Sequence, residues 1–226
     1  MNTPTDFQNK GMKKFESLPQ RPSLPTFNEL PNFDLYMDQV IALINKYLTF
    51  FKDEDSSEII THSMINNYVK LKIIPIPVKK KYSRIHLACL IMIGALKQSL
   101  SIPIIEFLLP NNCSEEECAI IYDRFVESWD NSFDMAYEMI KSQIFELFEN
   151  EKYDEIYDLA TDMAVGSNVF KVFTEKMISL HPNANKASDA DNESKDKKDK
   201  KDKKEKKDKK EKKDKKDKKE SKNNDE

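Results

Sequence analysis

Apolar side chains recur at helical spacing over the first 180 residues, and prolines mark the points where helices must stop. Residues 32–51 carry apolar side chains that repeat every three or four positions, which predicts an amphipathic helix. A shorter helix is predicted to follow, capped by Thr61 or Ser63 and ending near Leu71. Its inward side chains are expected to be Met64, Ile65 and Tyr68. Its outward side chains are all polar, namely His62, Ser63, Asn66, Asn67 and Lys70.

Two prolines, Pro75 and Pro77, prevent this short helix from continuing. Residues 73–78 and the residues around Tyr82 are predicted to pair as a small two-stranded ribbon. The turn of that ribbon is expected to hold three consecutive lysines, Lys79, Lys80 and Lys81. Ser83 is then placed to cap a buried helix over residues 84–99, whose core side chains are Leu87, Leu90, Ile91, Met92 and Leu96.

Four further helices are predicted toward the C-terminus. A short helix is expected after Ser101, with Pro103 in its first turn. Ser114 and Glu117 form a capping box that opens a long helix to about residue 150, in which Asn131 and Ser132 allow a break. Its apolar stripe consists of Tyr122, Phe125, Trp129, Phe133, Ala136, Ile140, Ile144 and Leu147. The aromatic residues of this helix, which include Trp129, Phe133, Phe145 and Phe148, are expected to be core, and the alternatives are that they hold a ligand or a partner helix. Two helices over residues 152–165 and 168–180, separated by Gly166 and Ser167, are predicted to complete the fold.

The two ends of the chain differ in composition from the middle. Five of the ten prolines fall in residues 1–31, which predicts an extended N-terminal arm. Residues 183–226 are dominated by lysine and acidic residues and offer no apolar face, which predicts a disordered tail. The predicted organisation is therefore an arm at 1–31, a first domain at 32–110, a helical dimerisation or effector region at 111–182, and the tail. The fold class is mainly α.

Charge is unevenly distributed along the chain, although the net charge is only −3. Residues 59–105 hold seven basic groups and no aspartate or glutamate, whereas residues 106–186 hold 6 basic and 17 acidic groups. A window of this length without a carboxylate indicates a surface that faces an anion. The alternative is a biased surface that has no partner.

Enzymatic and metal chemistry have little support in the sequence, and no cofactor is expected. The chain has only three glycines, so a phosphate-cradling loop is not available, and its three histidines are scattered. Cys113 and Cys118 lack a third ligand nearby, which makes a poor zinc site. The odd number of cysteines and the absence of an apolar leader or a membrane span point to a cytoplasmic protein.

The order of these parts resembles the MerR type of winged helix-turn-helix regulator over residues 61–109. The resemblance rests on Thr61 followed by "MINNYVKLKIIP", then "KKKYS", then "SLSIPIIEFLL". Asn66 stands where that family has a phosphate-contacting arginine, Asn67 and Tyr68 stand at its two tyrosines, and Lys72 replaces its exit glycine. The detailed amino-acid sequence of this segment is more similar to an uncharacterised bacterial family, domain of unknown function 1836, whose fold is thought to be MerR-like. The resemblance implies a winged helix followed by a helix that pairs antiparallel in a dimer.

These features together predict a sequence-specific transcriptional regulator that binds double-stranded DNA. An exposed polar helix fits the major groove, where asparagine can pair with adenine, and lysines on a ribbon can neutralise phosphates. The candidate DNA-binding residues are Thr61, His62, Ser63, Asn66, Asn67, Lys70, Lys79, Lys80, Lys81, Tyr82 and Arg84. A homodimer through residues 114–150 is expected, in a bacterial cytoplasm and at the nucleoid when DNA-bound. The alternative function is a protein-interaction adaptor that binds a partner through the acidic C-terminal helices.

Overall fold

The computed structural model describes residues 11, 13, 15, 23–52, 58–110 and 113–182. It divides into two compact units, Met1–Glu175 and Lys176–Glu226. Of the second unit only residues 176–182 are described, and they comprise the end of the last helix and the turn after it. The predicted disordered tail at 183–226 and most of the predicted arm at 1–31 lie outside the described residues.

The described part is mainly helical, as the hydrophobic pattern predicts. Two one-turn 3-10 helices cover Phe27–Glu29 and Thr49–Phe51, and two short strands cover Leu35–Tyr36 (β1) and Lys81–Tyr82 (β2). The six α-helices whose bounds are described are Met37–Tyr47 (α1), His62–Lys70 (α2), Arg84–Leu96 (α3), Ile102–Leu108 (α4), Glu115–Glu149 (α5) and Glu155–Ser179 (α6). None of the described helices is both long and apolar enough to cross a bilayer.

The main hydrophobic core forms around α3, whose side chains are buried on nearly every side. Its neighbours in the core are Val40 and Ile44 from α1, Ile65 and Tyr68 from α2, and the start of α5. Cys118, Tyr122 and Val126 from the first three turns of α5 belong to this same core. The N-terminal part of the long helix therefore shares the main core with α1, α2 and α3.

The small sheet differs from the predicted ribbon. Lys81 and Tyr82 pair antiparallel with Tyr36 and Leu35, so the partner strand comes from before α1. Of the residues expected to pair with the strand at Tyr82, only Val78 forms a bridge, to Lys81. Pro75 and Pro77 account for the difference, because neither ring nitrogen can donate a ladder hydrogen bond.

The described C-terminal helices have no internal break, so the break predicted at Gly166 and Ser167 is wrong and the break that Asn131 and Ser132 allow does not occur. The long helix runs through Asn131 and Ser132 without interruption, and its capping box forms as predicted, with the Glu117 N–H donating to Ser114 Oγ at 3.2 Å. Gly166 and Ser167 likewise do not separate two helices, because α6 is continuous across them. Ser167 Oγ donates to the Ala164 carbonyl at 2.9 Å inside the helix, and a single internal glycine costs only about 1 kcal/mol.

The end of the predicted N-terminal arm is packed rather than extended. Leu24, Phe27 and Leu30 are buried in the main core. The Phe27 N–H donates to Asp123 Oδ1 on α5 at 2.6 Å, and the Phe27 ring meets the Tyr122 ring edge to face. Further upstream, Phe15 stacks on Tyr137 with ring centroids 5.6 Å apart, within a second cluster that contains Ile144 and Phe148. Phe15, Leu24, Phe27 and Leu30 therefore serve as core residues.

Candidate nucleic-acid interface

The exposed side of α2 is the side that the sequence predicts. Ile65 and Tyr68 are buried and Met64 is half-buried, so these residues hold the helix against the core. His62, Ser63, Asn66, Asn67 and Lys70 are all exposed, and we call these five residues the reading face. The amides of Asn66 and Asn67 form no hydrogen bond with any residue in the described part of the chain. Their donors and acceptors are therefore available to an external partner.

The N-terminus of α2 is defined by Thr61, as predicted. The Thr61 hydroxyl accepts a hydrogen bond from the Met64 N–H at 3.3 Å, which is the usual N-cap interaction. His62 Nε2 lies 2.6 Å from Asp38 Oδ1 of α1, and both side chains are largely exposed. Thr61 therefore positions the helix. His62 lies at the edge of the reading face, where the Asp38 carboxylate is next to it.

The segment that leads into α2 is held by two polar side chains from other helices. Asn45 of α1 accepts the N–H groups of Ile59 and Ile60 at 2.6 and 3.2 Å, and donates to the carbonyls of Ile60 and Ile41 at 2.9 and 3.0 Å. Lys97 Nζ donates to the Ile59 carbonyl at 2.5 Å, and burial lowers the pKa of Lys97. These bonds fix where the reading face begins.

Replacing Asn45 with alanine is expected to destabilise the fold by about 2 kcal/mol, because four hydrogen bonds are lost and the Ile59 and Ile60 backbone groups keep no replacement partner. Urea unfolding followed by circular dichroism measures the change. Asn131, an exposed asparagine on α5, offers a matched control, and Asn131→Ala is expected to change the free energy of unfolding by less than about 0.5 kcal/mol. Equal effects of the two substitutions would contradict the assigned role of Asn45.

The exit of α2 is a Schellman motif that has lysine at the position glycine normally occupies. The Ile73 N–H donates to the Tyr68 carbonyl at 2.9 Å and the Lys72 N–H donates to the Val69 carbonyl at 3.1 Å. Lys72 adopts a φ of 60°, in the left-handed region. A residue with a side chain is strained there, whereas glycine is not. The exit therefore retains an exposed cation at a cost in stability.

The turn before β2 also has lysines at positions that normally favour glycine. The Lys81 N–H donates to the Val78 carbonyl at 2.9 Å, which closes a four-residue turn, and Lys79 and Lys80 have φ values of 51° and 62°. Positive φ at both central positions is typical of a type I′ turn, for which Asn-Gly is preferred. Both lysines are exposed, and neither forms an ion pair with a described carboxylate. We call Lys79, Lys80 and Lys81 the lysine tip.

Three predicted site residues are less exposed than Lys79 and Lys80. Lys81 is half-buried, with its Nζ 5.4 Å from the centre of the Tyr36 ring. Tyr82 is only 2% exposed, so its side chain is part of the core. The Arg84 guanidinium lies 5.3 Å from the centre of the Phe27 ring and 3.9 Å from Glu115 Oε1, and its side chain is only 17% exposed. Tyr82 and Arg84 therefore do not face solvent as Lys79 and Lys80 do.

His86 of α3 is hydrogen-bonded to the segment between α2 and the lysine tip, and we call this interaction the clamp. Its Nδ1 accepts the Ser83 N–H at 3.0 Å, which completes the cap of the helix, and its Nε2 lies 3.1 Å from the Pro75 carbonyl and donates to it. The ring therefore carries its proton on Nε2. Burial lowers the pKa of His86, against smaller opposing effects of the Pro75 bond and Asp34. The neutral ring is the form that the fold uses.

Acidification is therefore expected to destabilise the fold through His86. Because the pKa of His86 is lowered in the folded state, the unfolded chain binds more protons just below pH 6.5, and stability falls as pH falls. The contribution of neutral His86 to the free energy of unfolding is fully present above that pH. Below it, this contribution falls by no more than about 1.4 kcal/mol per pH unit. Urea unfolding at pH 7.5 and 5.5 should show a smaller loss for His86→Gln than for the natural chain. Identical losses would count against the clamp.

The three cysteines are placed as packing residues. Cys113 and Cys118 occupy the positions before the cap and four residues into α5, where a pair of apolar side chains often fixes the start of a helix. Burial is the main cause that raises the pKa of Cys118 to about 12, and it also raises the pKa of Cys89. All three thiols are free, and the described residues contain no group of three potential ligands that could hold a metal ion.

The acidic half presents two different faces along α5. The predicted apolar stripe is buried or half-buried throughout, and Phe148 is buried with it, whereas Phe145, which was also expected in the core, is 52% exposed. Other exposed apolar residues of α5 lie outside the stripe, namely Ile120, Ile121, Met135 and Met139. On α6 the exposed large apolar residues of the first unit are Tyr157, Val165, Val169, Phe170, Val172 and Phe173. Nothing in the described part of the first unit covers these surfaces.

Sequence reasoning did not identify several residues that build the site. Asn45 and His86 gave no periodic signal, because each acts through backbone groups that are distant in sequence. Lys72 was recognisable only as a lysine at the glycine position of a helix exit. Asp38 falls outside the acid-free window in sequence, although its carboxylate contacts His62.

Residues 25–125 match the model of a family described as Domain of unknown function (DUF1836). The match begins just before the first 3-10 helix and ends in the third turn of α5, so it covers the reading face, the lysine tip and most of the main core. It supports the resemblance to the uncharacterised family noted above, and that description carries no activity. Searches of curated proteins and of solved structures returned no match.

Proposed function

We propose that this protein binds double-stranded DNA, with the reading face in the major groove and the lysine tip on the phosphate backbone. The observation that carries the proposal is the combination of an exposed polar helix face, whose Asn66 and Asn67 amides form no hydrogen bond within the described chain, with exposed lysines in the same acid-free window. An α-helix fits the major groove, and lysines that neutralise phosphates release counterions, which drives association.

The backbone strain at the lysines supports the same proposal. Lys72, Lys79 and Lys80 are three of the four described residues with positive φ that are not glycine. Strain of this kind costs on the order of 1 kcal/mol or more at each position, and it clusters at functional sites. A need for positive charge at these positions explains why glycine is not used.

The proposed roles differ between the predicted residues. Ser63, Asn66 and Asn67 contact bases, and His62 lies at the edge of that surface. Lys70, Lys72, Lys79 and Lys80 supply phosphate contacts, with a smaller contribution from the half-buried Lys81. Thr61, Tyr82 and Arg84 position these groups. In this proposal the architecture is a MerR-like winged helix, in which the lysine turn is the wing.

A homodimer through residues 114–150 is part of the proposal, because a two-fold protein matches a two-fold operator in a bacterial nucleoid. Outside the buried stripe, Ile121, Met135 and Met139 are exposed along one side of α5, and this side is available for the contact. The strongly acidic residues of the C-terminal half would then lie away from the DNA backbone, as like charges require.

The second candidate is a protein-interaction adaptor that acts through the acidic helices. The exposed apolar side chains of α6, including Phe170 and Phe173, favour it, since isolated soluble domains seldom expose so many large apolar groups together. The strained lysines distinguish the two functions. DNA binding uses their charge, whereas an adaptor that acts through the acidic helices has no need of them.

A comparison of DNA and RNA duplexes of identical sequence tests the proposed function. The major groove of A-form RNA is too deep and narrow for side chains to read, so a helix in the major groove should prefer DNA. Fluorescence anisotropy at 0.1 M salt is expected to show at least tenfold tighter binding to the DNA duplex. Equal affinity for both duplexes would indicate that the protein is attracted to any polyanion and does not read the major groove. Binding to neither would favour the adaptor.

A further inference from the structure

The reading face has a restricted set of chemical groups. It offers two amides, one hydroxyl, one imidazole and one ammonium, and it contains no arginine and no carboxylate. Asn66 and Asn67 are adjacent in sequence, and Ser63 lies one turn before them, so these three side chains lie on the same side of the first two turns of α2. The N-terminal residues of a recognition helix are the ones that usually contact bases.

Each group recognises a different base edge. Asparagine can donate to N7 and accept from the N6 amino group of adenine, whereas arginine or lysine pairs with guanine and a carboxylate accepts from cytosine. The arginine of the acid-free window, Arg84, is mostly buried between Phe27 and Glu115. Lys70 lies seven residues after Ser63, which is about 10 Å along the helix axis at 1.5 Å per residue. The central part of the reading face therefore has no guanine reader.

We infer that Asn66 and Asn67 each read an adenine, so that the preferred half-site has A·T pairs at the two major-groove positions beneath the first turns of α2. This inference rests on the proposed DNA binding and adds its base preference. Both amides are exposed and unbonded within the described chain, so no existing interaction must be broken when they pair with a base.

Selection from a random duplex library tests the inference directly, using the full-length natural chain, Asn66→Ala, Asn67→Ala and the control Asn131→Ala. The natural chain and the control are expected to enrich A·T at two positions. Each of the other two variants should lose the preference at one of those positions by about 5- to 150-fold. Affinity for unselected duplex should persist in both variants, because the phosphate-contacting lysines remain.

A base analogue separates direct reading from DNA shape. Replacing a selected adenine by 7-deazaadenine removes the N7 acceptor and leaves Watson–Crick pairing intact. The natural chain should lose affinity for the modified site, whereas the variant lacking the corresponding asparagine should bind both sites equally. Enrichment of G·C pairs, or tight binding without any preference, would overturn the inference and leave the proposed function standing. Failure to bind any duplex would remove the proposed function itself.

Discussion

Changing Lys79, Lys80 and Lys81 together to glutamate is expected to weaken binding to duplex DNA by at least 60-fold at 0.1 M salt. The two exposed lysines, Lys79 and Lys80, each lose a counterion-release contribution of about eightfold relative to 1 M salt, which multiplies to about 60-fold, and the half-buried Lys81 adds a smaller loss. Repulsion between the new carboxylates and the phosphates adds to this loss. Fluorescence anisotropy with a labelled duplex measures the change, and circular dichroism checks that the fold is retained.

The acidic half offers a control with the same change in net charge. Lys141, Lys152 and Lys171 are exposed residues of α5, of the turn after it and of α6. Changing these three to glutamate is expected to weaken DNA binding less than tenfold, because charges outside the interface are screened over about 10 Å at this salt concentration. Similar losses for the two triple variants would mean that net charge, and not the lysine tip, governs binding.

Replacing Lys79 and Lys80 with glycine is expected to stabilise the fold and to weaken DNA binding at the same time. Glycine relieves the left-handed backbone strain at both positions, for a net gain of about 1 kcal/mol each after its greater loss of entropy on folding. The loss of two phosphate contacts should lower affinity about 60-fold at 0.1 M salt. Urea unfolding and anisotropy on the same preparation measure both effects.

An alanine pair separates the two causes. Lys79→Ala with Lys80→Ala removes the same charge but keeps a Cβ at each strained position, so it should weaken DNA binding as much as the glycine pair without the gain in stability. If the glycine pair is no more stable than the alanine pair, the strain assigned to the turn is wrong. If the glycine pair binds DNA as tightly as the natural chain, the charge at these positions has another purpose.

The sequence predicts the local features of the site well, because they depend on nearby residues. The inward and outward sides of α2 follow from Ile65 and Tyr68 at helical spacing, and the cap at Thr61 and the capping box at Ser114 follow from hydroxyl chemistry. The buried face of α5 follows from a stripe that extends over several turns. In each case the information lies within one element.

The features that the sequence does not reveal depend on distant partners or on weak local preferences. The strand Leu35–Tyr36 is too short to show a period, and its pairing with Lys81 and Tyr82 joins segments about 45 residues apart. The prolines before residue 31 suggest an arm, but Leu24, Phe27 and Leu30 find burial against α5 and the core. Lysine has no preference for positive φ, so the strain at the tip is visible only in the structure.

The clamp at His86 and the brace at Asn45 place the reading face and the tip on the same rigid core. Asn45 fixes the start of α2, while His86 fixes the Pro75 carbonyl on the way to the tip. Both bind backbone groups of the connecting segments, which lack regular structure of their own. A DNA-binding surface built from two separate segments requires such bracing, since a shift of either segment would misalign base and phosphate contacts.

Above all, we propose that the lysine tip and the reading face, both from a sequence window without aspartate or glutamate, meet the phosphate backbone and the major groove of a duplex. The most direct measurement is the slope of log affinity against log salt concentration for the natural chain and one half-site. Neutralisation of about four phosphates predicts a slope near −4, and hence a loss of affinity of roughly 150- to 250-fold between 50 and 200 mM salt. A slope shallower than −1, or no measurable binding at 50 mM salt, would contradict the claim.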